Sequence, residues 1–157
     1  AVGAIILVAV AAFSYSSAMS LARMMSYAEM AAASQSTVDQ LTHDARSANR
    51  VTSTTATSLV LEDSDGTSLT YTYDPSEGTL TREKNGTPMV LLRGCDVLTF
   101  SLGKRNHAGP YGSFPTATAA DCKVISAAWQ CSRTILGLKT TTENLASAKV
   151  VIRRQGT

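Results

Sequence analysis

The sequence predicts an α+β fold, one long N-terminal α-helix packed against an antiparallel β-sheet head. Three observations predict it. No proline occurs before Pro75, and no glycine lies between Gly3 and Gly66. Residues 1–22 carry no charged side chain, the first charge being Arg23. From Val51 the apolar spacing changes from the three and four of a helix to the two of a strand.

Residues 1 to about 49 read as one helix because alanine, the strongest helix former, recurs throughout. Its halves meet different surroundings. Residues 1–25 are apolar around most of the circumference, through Val2, Ile5, Ile6, Leu7, Val8, Val10, Phe13 and Leu21, with serines entering from Ser14. A helix of 22 residues rises roughly 33 Å, close to a ~30 Å hydrocarbon core, although the strictly apolar run ends at Phe13. Small residues (Gly3, Ala4, Ala9, Ala11, Ala12, Ala18) permit close helix–helix approach. No basic stretch or fresh start marks a cleaved signal peptide, so the segment reads as retained. Residues 26–50 continue as an amphipathic helix. The apolar stripe Met24, Ala28, Ala31, Val38, Leu41, Ala45 and Ala48 faces the head, with Val38, Leu41 and Ala45 as the main contacts, while Gln35, Asp39, Gln40, His43, Asp44 and Arg46 fill the other faces. Arg46 and Arg50 suit the helix C-terminus, and Asn49 suits a left-handed ending.

Residues 51–157 form the head. Ser58–Glu62 reads as a strand, and Asp63–Gly66 as a turn. Thr67–Asp74 alternates, with Leu69, Tyr71 and Tyr73 on one face. Asp74–Gly78 turns again, Thr79–Lys84 is a short polar strand, and Asn85-Gly86 is a two-residue hairpin signal. Met89–Leu92 and Val97–Leu102 come next as strands. Residues 103–120 read as a long loop and a candidate contact surface. Val124–Cys131 is a strand with Trp129 inward, which Thr134–Lys139 extends. Thr140–Asn144 reads as a turn, and Ala148–Arg153 as the last strand.

Cys95, Cys122 and Cys131 suit an exported protein with one disulfide and one thiol. Cys95–Cys131 needs a bulge, for which Gly94 is placed, because Cys95 falls on the opposite face from Leu98, Phe100 and Leu102. Cys122–Cys131 needs a chain reversal between them. Three buried thiols are the third reading.

Charged residues are 17% of the chain and the net charge is +2, with no basic or acidic block, so neither nucleic acid nor anionic lipid is indicated as a partner. No nucleophile, phosphate-loop or zinc spacing occurs, and no cofactor, metal or enzymatic activity is expected. His43, four residues after Asp39, reads as a solvated helix face, and His107 as a surface or subunit-contact residue. Asp63-Ser64-Asp65-Gly66 reads as a hairpin turn rather than a calcium loop.

The order of these parts is similar to the type IV pilin superfamily, and closest to its minor-pilin and pseudopilin branch, of the PilW and GspJ kind. The likeness is carried by AVGAIILVAVAAFSYSSAMSLARMMSYAEMA, VDQLTHDARSANRV, LTREKNGTPMVLLRGCDVLTFSL and TTTENLASAKVVIRR. It implies a pilin-like fold and a subunit held in the inner membrane by its helix. The subunit would then be extracted into an extracellular or periplasm-spanning filament of identical subunits or related pilins. Residues 1–25 would pack in the filament core. The family's glutamate near the processed N-terminus is missing from residues 1–22. Either the mature chain begins about eight residues upstream or the chain belongs to the variants without the glutamate; the first is preferred, because the AVGAIILVAV run resembles the apolar stretch that normally succeeds that glutamate. Two other functions compete: a membrane-anchored, non-polymerising adhesion or binding module using loop 103–120, and a minor subunit that caps or primes a fibre.

Overall fold

Uninterrupted by proline and rich in alanine, helix α1 runs from Val2 to Ser47. At 1.5 Å per residue its 46 residues extend about 69 Å. The computed structural model describes residues 2–106, 109, 114–135 and 138–152, without the side chains of 2–9 and 135–147. Eight strands come after α1: β1 (Arg50–Thr54), β2 (Ser58–Glu62), β3 (Ser68–Asp74), β4 (Thr79–Lys84), β5 (Thr87–Arg93), β6 (Cys95–Gly103), β7 (Val124–Ile135) and β8 (Leu138–Val151). All neighbours are antiparallel, so the α+β class holds.

The helix ends without the left-handed residue expected at Asn49. Among the described residues Asn85 is the one non-glycine with positive φ. Asn49 instead ties the helix end to β2, its N–H donating to Glu62 O at 2.7 Å and its Nδ2 to Asp63 O at 3.0 Å. Arg50 is not a helix cap either; it opens β1 and pairs with Glu62 at 2.7 Å.

The hairpins form where their turn residues require. Asn85 and Gly86 take φ of 55° and 73°, the left-handed pair of a tight two-residue turn. The Asp74 carboxylate accepts from the Ser76 N–H at 2.8 Å. Asp63 comes just after β2, and its carboxylate accepts from Lys84 Nζ at the end of β4. Leu69, Tyr71 and Tyr73 all point inward, as the alternation predicts.

Three expectations need correction. The head is two sheets, not one: a five-stranded β1-β2-β3-β4-β5 meander and a three-stranded β6-β7-β8 sheet. The break falls at Gly94, whose φ of 71° turns the chain out of β5, and a Cβ there would sit 2.6 Å from Ser132 O. Cys95 N–H then donates to Gly78 O, and Ser132 N–H to Gly94 O, both at 2.8 Å. Second, Thr140–Asn144 is strand rather than turn. It belongs to β8, with Thr140 opposite Arg133 and Thr141 opposite Ser132, as the β preference of β-branched threonines allows. Of the Thr134–Lys139 extension, Thr134 and Ile135 do continue β7, whereas Leu138 and Lys139 already belong to β8, opposite Ile135 and Thr134. Third, Arg50–Thr54 forms a strand beyond those the alternation predicts.

Helix α1 contacts β5, β7 and β8, so it bears on both sheets. Leu41, Ala45 and Ala48 are buried as expected, and Val38 is half-buried against the core. Higher up the face rotates away from the predicted stripe. Met24 and Ala28 are exposed and Ala31 is half-buried, while Met30, Ser34 and Thr37 face the head. Trp129 Nε1 donates to Ser34 Oγ at 3.2 Å, and Thr37 Oγ1 to Ala33 O at 2.8 Å, so these buried polar groups are satisfied.

The largest departure from the expected stripe is Asp44. The sequence places it among the solvated faces; in the structure it is 5% exposed. Its carboxylate accepts from Tyr71 OH at 2.6 Å, Arg82 Nε at 2.6 Å and Gln40 Nε2 at 3.0 Å. Burial pushes the carboxyl up, but the hydrogen bonds from Arg82 and Tyr71 outweigh it, and Asp44 stays charged below the ordinary carboxylate range. Because the folded carboxyl titrates below its unfolded counterpart, its stabilisation is complete above about pH 4. It is lost as pH falls through the folded value.

Asp44→Ala is expected to lower unfolding free energy by about 3 kcal/mol, since it strands Arg82 and Tyr71. Asp44→Asn is expected to flatten the fall in stability below about pH 4. Urea titrations across pH measure both. Gly94→Ala is expected to cost more than about 2 kcal/mol by the same measurement, combining positive φ with a backbone clash. Gly66→Ala, with positive φ but open space, is expected to cost about 1 kcal/mol.

Candidate functional site

Among the described residues, the fully buried positions of the helical segment run from Met30 to Ala48. Along residues 10–29, Met19 and Ser26 alone are half-buried; every other side chain there is exposed. Phe13 is 75% exposed, Met24 69%, Met25 62% and Val10 59%, with Tyr15, Leu21 and Tyr27 also out in solvent. Of the predicted assembly residues, Val10, Phe13 and Leu21 therefore stand clear of the head. The side chains of Val2, Ile5, Ile6, Leu7 and Val8 lie outside the described residues. Over residues 10–25 the described side chains are exposed apart from Met19, and water solvates such an apolar surface poorly.

Polar contacts mark where the rod leaves the head. Arg133 Nη1 pairs with Glu29 at 2.7 Å, one residue before the first buried helix position. Both side chains are largely exposed, so the pair orients more than it stabilises. Beside it a cleft of about 160 Å³ opens between α1, β5 and β7, lined by Met30, Ala33, Val90, Leu91, Leu92, Arg93, Cys131 and Arg133. No helix among the described residues is long and apolar enough to cross a membrane.

The loop of residues 103–120 is partly strapped to β6. Gly103 bridges Thr116, Lys104 N–H donates to Pro115 O at 2.9 Å, and Ala117 N–H to Leu102 O at 3.0 Å. Lys149 Nζ stands 4.2 Å from the Phe114 ring centroid. His107 lies outside the described residues. His43 is exposed and approaches Asp44 at 3.5 Å rather than Asp39, whose carboxylate takes the amide of Gln35 at 3.2 Å.

The cysteines sort by position. Cys95 and Cys131 are opposed in the β6–β7 register, and the bulge their pairing needs is present, with Asp96 as the extra residue. Cys95 thereby turns inward with Leu98, Phe100 and Leu102. Cys122 precedes β7 at its other end and donates to Val124 O at 3.4 Å, so extended chain and no reversal separates it from Cys131. Burial pushes the Cys122 thiol up to about 11. The Cys122–Cys131 pairing does not fit this strand.

Among the described residues, no group of three or more His, Cys, Asp or Glu side chains is placed to hold a metal ion. The residues that sequence reasoning missed are Met30, Ser34, Thr37 and Asp44 on the helix, with Tyr71, Arg82 and Trp129 as their partners. Their spacing at 30, 34, 37, 41, 44 and 48 is itself helical, but Ser, Thr and Asp break any purely apolar stripe. No family model, curated protein or solved structure matches the chain.

Replacing Phe13, Leu21 and Met24 together by serine is expected to leave head stability within about 0.5 kcal/mol, because each is more than half exposed. The same variant is expected to lower self-association. Urea unfolding followed by Trp129 fluorescence and analytical ultracentrifugation check the two halves of this expectation.

Proposed function

We propose that the chain is a structural subunit of a type IV pilus or pseudopilus filament, assembling by burial of the leading half of α1 among copies of itself or related subunits. The observation that carries this reading is the exposed apolar helix from Val10 to Tyr27, ahead of the stretch that holds the fully buried helix positions. The order of apolar helix, amphipathic helix and β head supports it further.

Burying the seven large apolar side chains exposed between Val10 and Tyr27, at about 1.5–3 kcal/mol each, supplies an upper limit of roughly 10–20 kcal/mol per subunit before entropic costs. A heterologous contact repeated without closure yields a helical polymer, and the small residues of the first three turns allow rods to approach closely. The head–helix contacts then act as the handle. They keep the head at a constant angle to the rod, so each subunit enters the fibre in the same orientation. Before assembly the same apolar rod would rest in the inner membrane.

Phe13→Asp is expected to abolish fibres in sheared or reconstituted material viewed by electron microscopy, while the head keeps its thermal unfolding midpoint. Fibres of normal length from this variant would overturn the assembly reading. Wild-type protein that inserts into vesicles but never polymerises would favour the anchored, non-polymerising module instead.

A further inference from the structure

The Cys95 and Cys131 sulfurs are 2.9 Å apart at the seam between the two sheets. Directly opposed residues of antiparallel strands have Cα atoms about 4.5–5.5 Å apart, inside the range a disulfide requires. The backbone around the pair is held from several sides. Cys95 N–H donates to Gly78 O, Tyr73 OH donates to Cys95 O at 3.1 Å, and Ser132 N–H donates to Gly94 O. Both thiols are buried, each only 3% exposed. Cys131 forms part of the wall of the cleft between α1, β5 and β7, together with Met30, Ala33 and Arg93; Cys95 is not part of that wall.

We propose that Cys95 and Cys131 are a thiol–disulfide exchange pair, in which Cys131 reacts with an external anionic disulfide through the cleft and Cys95, behind it, resolves the mixed disulfide. This reading is independent of filament assembly. The Cys131 thiolate attacks one sulfur of the external disulfide, whose S–S bond breaks and releases one thiolate. Cys95 then gives its proton to solvent and attacks the Cys131 sulfur, expelling the second thiolate. The two protein thiols are oxidised to one disulfide, and the external disulfide is reduced to two thiols. Arg93 lines the cleft and favours an anionic reagent, such as oxidised glutathione, whereas the charge of Arg133 is met by Glu29.

The order of attack rests on the cleft, whose wall includes Cys131 and not Cys95. The two sulfurs share one hydrogen bond, in which either can be the donor. Cys122 stays outside the exchange, at the far end of β7. Oxidation would staple β6 to β7 where Gly94 carries the chain between the sheets, directly behind the Met30–Ala33 turn of the helix.

The test uses the reduced chain of residues 1–157 and the dianionic disulfide 5,5′-dithiobis(2-nitrobenzoate). Wild type is expected to release two thionitrobenzoates, retain no adduct on these two residues, and yield a Cys95–Cys131 cross-linked peptide by mass spectrometry. Cys95→Ser is expected to stop at one adduct on Cys131. Cys131→Ser is expected to react at Cys95 at least about tenfold more slowly, with circular dichroism verifying the fold. If Cys131→Ser fails to fold, the wild-type cross-link and the Cys95→Ser adduct decide together. Faster labelling at Cys95, stable adducts on both residues of the wild type, a cross-link to Cys122, or no reaction in the folded chain would each overturn the proposal.

Discussion

One buried carboxylate holds the helix to the head. Asp44 sits between Leu41 and Ala48 on the covered face of α1 and receives Tyr71 from β3 and Arg82 from β4. The apolar residues around it are mostly small or single-branched, and apolar burial is non-directional. A charged fork is directional: Arg82 engages both carboxylate oxygens, and Tyr71 shares one of them. Rotating α1 by one residue would move the carboxylate about 100° away and strand three buried groups. The helix therefore has one rotational setting on the sheet, and everything above Met30 inherits its direction from it.

A second fixed point lies where the two sheets part. Gly94 and Gly78 both adopt positive φ around Cys95, and each would clash with a backbone oxygen if it carried a Cβ. The chain thus passes from β5 to β6 through a tight, hydrogen-bonded step rather than a loose loop. The Asp96 bulge comes at once and turns Cys95 toward Cys131. Met30 and Ala33 share a cleft wall with Cys131, so the point where the sheets divide is also the point where the helix departs.

Local chemistry made much of the fold legible. The alanine run, the absent proline, Asn85-Gly86 and the Leu69-Tyr71-Tyr73 alternation each act over a few residues, and each element formed where these signals lie. What stayed hidden was non-local. The division into two sheets depends on which strand β6 pairs with, and β7 lies beyond the 103–120 segment. Thr140–Thr142 carries both turn-like polarity and strand propensity, and pairing with Ser132 and Arg133 decides between them. Asp44 looked solvated because an aspartate on a helix usually is; Tyr71 and Arg82, 27 and 38 residues on, account for its burial. Of the candidate site, the apolar half of the helix was readable as composition. Its exposure was not, because composition does not say whether the head folds over the rod.

Geometry answers that last point. A head of residues 51–157 has an expected radius of gyration of only about 13 Å, hence a span of roughly 35 Å. Even its longest strand, the 14 residues of β8, extends only about 46 Å, short of a helix of about 69 Å. The stretch with buried positions, Met30 to Ala48, measures about 28 Å. Some part of α1 must therefore project, and the composition of that part is a separate choice. A projecting helix meant for water would carry charges spaced along every face. Here the described projecting stretch reaches from Val10 to Arg23 before meeting one, with Phe13 and Tyr15 in the open. The length of the helix makes a free segment unavoidable, and its uncharged surface makes water the wrong medium for it. A surrounding of like helices satisfies both conditions, because each neighbour brings the same length and the same apolar circumference.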